Sequence, residues 1–118
     1  MAKALMGSGE NTGFFSAVSA AEIGIKSRIG KLHLPHPAKE FVVSGIEDSG
    51  VKTIPLYIHH ALRVAELPQH HRDPFDRLLI AQAQAEGLPL MTADSTIAKY
   101  DVEIIWAGRE EPPPRPAQ

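Results

Sequence analysis

Between Phe14 and Trp106 the apolar positions alternate between short unbroken runs and helical spacings. Phe14 to Val18 is a short apolar run of the kind a buried strand requires. Ser19-Ala20-Ala21-Glu22 then has the S-x-x-E form of a capping box, in which serine and glutamate satisfy the free amides of a helix start. That predicts a helix to about Ile29, closed by Gly30 in the left-handed conformation. After Pro35 and Pro37, residues 38–48 predict a second helix with Phe41, Val42 and Ile46 inward and Gly50 at its end. Val51 to Ile54 reads as a strand and residues 58–66 as a third helix. Asp73 is a natural N-cap, and Pro74 at the next position loses nothing by having no N–H. The helix they open carries Phe75, Leu78 and Leu79 and ends at Gly87. Leu88 to Met91 is a strand, Asp94 caps a short helix, and Glu103 to Trp106 is a last strand. Strands separated by helices of this length predict an α/β fold with a mostly parallel sheet.

The two ends of the chain break this rhythm. Residues 1–13 show neither spacing and are punctuated by Gly7, Gly9 and Gly13, which predicts a flexible leader. The proline-rich end suits neither a helix interior nor a sheet ladder, so residues 109–118 read as a disordered tail. The expected domain is therefore 14–108.

Composition removes several kinds of function. The 118 residues suffice for one domain, with 43% hydrophobic and 22% charged residues, as in an ordinary globular protein. No apolar run approaches the roughly 18 residues of a membrane span. The formal charge of −2 provides no general attraction for nucleic acid, so such binding needs a local patch. With no cysteine there is no disulfide, no thiolate nucleophile and no Cys-ligated zinc. That absence fits a reducing, cytoplasmic setting.

The acids have a pattern of their own. Glu22, Asp73, Asp76 and Asp94 all stand at predicted helix starts, and Glu22 and Asp94 each follow a predicted strand. In an open parallel sheet, ligands bind beyond the carboxyl ends of the strands, where such side chains converge. Carboxylates crowded together repel unless a cation joins them. An all-oxygen set suits Mg²⁺ or Mn²⁺, which complete their shells with water and phosphate. The corresponding chemistry is metal-assisted phosphodiester hydrolysis. Each acid also has a purely local explanation, as a cap or as a partner of the helix dipole. Glu22 further precedes Lys26 by four residues, the spacing of a helical ion pair.

Other chemistry-bearing residues are less telling. Lys26, Arg28, Lys31 and His33 form an acid-free run that either steers RNA phosphates or complements a helix end. His59, His60, His70 and His71 are two adjacent pairs without metal-binding spacing, and they read as solvated surface. Arg72 and Arg77 flank the acids and are placed to contact a phosphate or to neutralise them. Trp106 reads as packing. No Gly-x-Ser-x-Gly turn supports serine hydrolysis.

The segment from Phe14 to Pro35 and that from Leu67 to Trp106 together resemble the PIN-domain family, specifically VapC-type toxins of bacterial toxin–antitoxin pairs. The most specific piece is Asp73-Pro74-Phe75-Asp76-Arg77-Leu78-Leu79-Ile80-Ala81-Gln82-Ala83 followed by Thr92-Ala93-Asp94. The resemblance implies a PIN-like three-layer fold and an endoribonuclease using Mg²⁺ or Mn²⁺. It assigns Glu22, Asp76 and Asp94 as catalytic metal ligands, with Asp73 as a further ligand and Thr92 supporting Asp94. It also implies an RNA substrate, a VapB-like antitoxin and a homodimer. Family members begin with a central strand that ends in a first catalytic aspartate, followed by a helix. No such aspartate-terminated run precedes Phe14. The chain is accordingly expected to lack the first β-α unit, to be impaired in catalysis, or to act only as an inactive module that binds an antitoxin or a homologue.

Overall fold

The computed structural model describes residues 4–6 and 13–114. In chain order its elements are β1 (Ala4–Met6), β2 (Gly13–Ser16), α1 (Ala17–Arg28), α2 (Ala38–Ser49) and β3 (Lys52–Ile54). Then follow α3 (Ile58–Arg63), extended by a 3₁₀ turn at Val64–Glu66, α4 (Pro74–Glu86), β4 (Leu90–Thr92), a 3₁₀ turn at Ile97–Lys99 and β5 (Ile104–Trp106). The predicted punctuation explains most of the boundaries. Gly50 and Gly87 end α2 and α4 at positive φ (68° and 65°), a conformation that costs a glycine little.

The strands form one sheet in the order β3-β2-β1-β4-β5. β2 is parallel to β3 and β4 to β5, while β1 is antiparallel to both of its neighbours. Four strands are thus mutually parallel and the middle one runs against them. This corrects the reading of residues 1–13 as a flexible leader at Ala4–Met6 and Gly13, which are sheet. Leu5 is the hinge of the register, opposite Phe14 on one side and Leu90 on the other. The centre of the sheet is held by β1, antiparallel to both neighbours. The rest of the leader lies outside the described residues. Of the expected tail, residues 109–114 hold no helix or strand, and 115–118 lie outside the described residues.

The core gathers Val18, Leu67, Leu79, Ile80, Leu90, Ile97, Tyr100 and Val102, so α4 and the two flanks of β4 contribute most of it. α2 contributes least. It has no fully buried residue, and Phe41, expected inward, is 38% exposed, while Val42 and Ile46 are half-buried. Among the described residues no helix is long and apolar enough to cross a membrane.

Chain direction sets where a site can form. From β2 the chain moves outward to β3, and from β4 outward to β5. The reversal point therefore lies over β1, between the carboxyl ends of β2 and β4, where α/β sheets open a crevice.

Candidate metal centre

α1 starts earlier than its sequence suggests, and this changes what Glu22 is. Ser16, extended at φ −82° and ψ 145°, is the N-cap, and its Oγ accepts from the Val18 N–H at 3.0 Å. The same hydroxyl donates to Gln82 Oε1 at 2.6 Å, joining α1 to α4. Ser19 and Glu22 consequently lie inside the helix, and the capping box is overturned. Ser19 Oγ is buried and has no hydrogen-bond partner among the described residues. Glu22 is 1% exposed, which excludes a solvated first-turn role. A carboxylate so buried requires a counter-charge. Lys26, one turn on, supplies it through an ion pair between Nζ and Glu22 Oε2.

Asp73 and Asp76 come from the start of α4. Asp73 Oδ1 caps that helix, accepting from the Phe75 and Asp76 N–H groups at 2.8 and 3.3 Å. Its other oxygen, Oδ2, faces Lys26 Nζ at 3.6 Å. The cap and the acidic cluster thus use different atoms of one side chain. Asp76 is buried in the first turn, near the positive end of the helix dipole. Asp94 is placed by the end of β4. Its N–H donates to Thr92 Oγ1 at 3.0 Å, and its Oδ1 accepts from the Thr96 N–H at 2.9 Å. Partial burial pushes the Asp94 carboxyl up, but hydrogen bonds from His71 and Thr96 prevail and hold it below its usual 3.8. Lys26 is held above its usual 10.5, first by its hydrogen bond to Glu22, against an opposing effect of burial, and further by the charges of Glu22, Asp73 and Asp76.

His71 connects these acids, and the surface reading of its sequence pair missed it. Its Nε2 lies 2.9 Å from Asp76 Oδ2 and 2.9 Å from Asp94 Oδ2. Its Nδ1 accepts from the Asp73 N–H at 3.1 Å. A backbone amide can only donate, so Nδ1 has no hydrogen and Nε2 carries one, shared between the two carboxylates. The loop is held in turn by Tyr100, whose hydroxyl accepts from the His71 N–H at 2.8 Å.

Two triads result, sharing Asp76. Glu22, Asp73 and Asp76 each offer one oxygen, all within 4.8 Å of one another, and His71, Asp76 and Asp94 satisfy the same limit. Asp94 thus joins the cluster through His71. The first triad is all oxygen, and a cationic ammonium already sits against two of its members. That donor set fits a hard divalent cation, which prefers carboxylate oxygen. In the second triad the only free face of the imidazole is N–H, which makes His71 a donor to acids instead of a ligand.

A third group, His59, His60 and Glu86, also meets the distance limit. His60, fully buried, accepts at Nδ1 from the Tyr57 N–H at 3.0 Å, so its Nε2 hydrogen points to Glu86 Oε2 at 3.2 Å. This is a bond between α3 and α4. The surface reading therefore fails for His60 as well, whereas His59 and His70 are exposed. Arg77 also departs from expectation. Its guanidinium is buried and donates to Pro68 O, Val64 O and the Tyr100 hydroxyl at 2.8, 3.1 and 3.2 Å, clamping the segment before α4. Arg72 is exposed at the rim of an open groove of about 450 Å³ that also has His71 and Leu78 in its wall.

Comparison with known proteins gives one family. The model described as PIN domain matches residues 1–103, which include every residue of both triads. No curated protein matches, and no solved structure matches.

Proposed function

The chain belongs to the PIN-domain family, and on that premise we propose that it is a metal-dependent endoribonuclease of the VapC toxin type. The observation that carries this is the convergence of Glu22, Asp73 and Asp76 from two helices, with oxygens within 4.8 Å of one another. In this reading these three carboxylates hold Mg²⁺ or Mn²⁺, and Asp94 acts beside them. The cation would activate water and offset charge developing on the phosphate. The protein's own part is positional. Ser16 and Asp73 fix the starts of α1 and α4, which set where the buried acids Glu22 and Asp76 stand. His71 holds Asp76 and Asp94 at a fixed spacing. The groove beside His71, with Arg72 at its rim, would accept the RNA strand, the arginine pairing with phosphate.

The proposal extends to partners. A VapB-like antitoxin would cover the crevice, and a second copy of the chain would cover exposed apolar side chains such as Ile25 on α1 and Ile29 at its C-cap, or Ile58 and Leu62 on α3.

One observation favours a second reading. β1 is Ala-Leu-Met and brings no carboxylate to the centre of the sheet, where the resemblance expects the first acid. The alternative is a catalytically inactive PIN module that only binds an antitoxin or a homologue. Incubation with single-stranded RNA and Mn²⁺, beside Asp76→Asn and Asp94→Asn, separates the two. Cleavage by the parent that is at least about 100-fold faster than by either variant supports the nuclease, since fixed groups at such sites contribute on this scale. Equal background in all three leaves only the binding module.

A further inference from the structure

We propose that Lys26 sets the metal affinity of this centre by competing with the metal for its ligands. The inference rests on reading Glu22, Asp73 and Asp76 as those ligands. Three features of the fold place Lys26 in competition. The helical i,i+4 spacing brings its ammonium onto Glu22 Oε2. The same nitrogen lies 3.6 Å from Asp73 Oδ2, at the N-cap of α4. Glu22 is the deepest of the three acids, so an ammonium paired with it stands where a cation must enter. A divalent ion that takes Glu22 Oε2 must displace the ammonium, which weakens its binding relative to a site without that charge.

The stem of lysine makes displacement feasible. Four methylenes separate the ammonium from the backbone, and the Lys26 side chain is 29% exposed, so the head has solvent to move into. An arginine could not leave so readily, because its planar fork would grip Glu22 with two hydrogen bonds. The consequence is a centre that stays charge-compensated without metal and opens its deepest ligand only when the ion concentration is high enough to win.

The test is Mn²⁺ affinity by calorimetry for the intact chain, Lys26→Met, Lys26→Arg and Lys31→Gln. Lys31 is exposed on the same basic run and controls for a general change in net charge. Tighter binding in Lys26→Met by about tenfold, equal to about 1.4 kcal/mol, with Lys31→Gln within twofold of the parent and Lys26→Arg weaker, is expected. Equal or weaker binding in Lys26→Met, while the parent binds, overturns the role of Lys26 and leaves the metal reading standing. No binding by any of the four overturns the metal reading and this inference with it. A measurement on the parent alone covers the case of a poorly folded variant. Lys26 should react with an amine-modifying reagent several-fold faster when Mg²⁺ is added, with Lys31 unchanged. An unchanged Lys26 rate at a Mg²⁺ concentration that raises the melting temperature overturns the proposal.

Discussion

Ser16 and Ser19 lie one helical turn apart and meet opposite fates. Ser16 caps α1 and ties it to Gln82, whereas the Ser19 hydroxyl is buried without a hydrogen-bond partner among the described residues. Ser16→Ala should therefore cost about 0.5–2 kcal/mol in urea unfolding, the range for a lost cap. Ser19→Ala should be neutral or stabilising, because it removes an unsatisfied polar atom. The reverse order would place the helix start where the S-x-x-E pattern puts it. Tyr100→Phe tests the support of His71 in a similar way. Removing the hydroxyl strands the His71 N–H and one Arg77 donor, so a loss of about 1–3 kcal/mol is expected. What was legible at this scale follows from what local sequence encodes. Asp73, Asp76 and Asp94 were found because they stand at helix starts, a local signal, and their spacing matched a family pattern. His71 was not found. Its role depends on Asp94, distant in sequence, and on a backbone amide, and no spacing within the histidine pair carries that information. Glu22 was marked by the family match and by following a strand, while the capping box offered as its local explanation does not form.

The helices were readable and the pairing between them was not. Proline and glycine positions set the ends of α2 and α4, and each is a steric statement about a single residue. The α3–α4 connection through His60 and Glu86 is a contact between segments that sequence periodicity treats separately. Its pH dependence can be worked out. The hydrogen bond from His60, against a smaller opposing effect of burial and aided by His59, holds the Glu86 carboxyl below its usual 4.5. The unfolded chain then binds a proton more readily than the folded one in that range, so stability rises with pH there. The contribution is present above pH 4.5 and is lost as pH falls through the lowered folded value. Glu86→Gln should accordingly be less stable than the parent at neutral pH and converge with it in strong acid, as followed by circular dichroism. A constant gap down to pH 2 would show that the carboxylate charge plays no part. Of the described α-helices, α2 alone has no buried residue. Native-state hydrogen exchange should find its amides less protected than those of α4, whose inner face is fully buried.

For the whole molecule, a divalent ion held at the centre would couple metal to folding. Glu22 and Asp76 are buried acids drawn from two helices, so an ion that joins them stabilises only the folded chain. Saturating Mn²⁺ should raise the melting temperature, by an amount equivalent to about 2.7 kcal/mol at a hundred times the dissociation constant. Asp76→Asn should abolish that rise, and an equal rise in the variant would place the ion elsewhere. The parallel α/β class was legible because four strands follow apolar runs. The middle of the sheet was not, because three residues are too few to show a period and glycines follow them. Those three residues have a consequence beyond the site. β2 and β4 never touch by backbone pairing, so β1 alone joins the β3–β2 ribbon to the β4–β5 ribbon. Trimming the chain back to Gly13 would leave two narrow ladders, each with a fresh unsatisfied edge facing the gap. An added peptide of matching length would be a natural repair, which makes this seam a place where fragment complementation can restore the sheet.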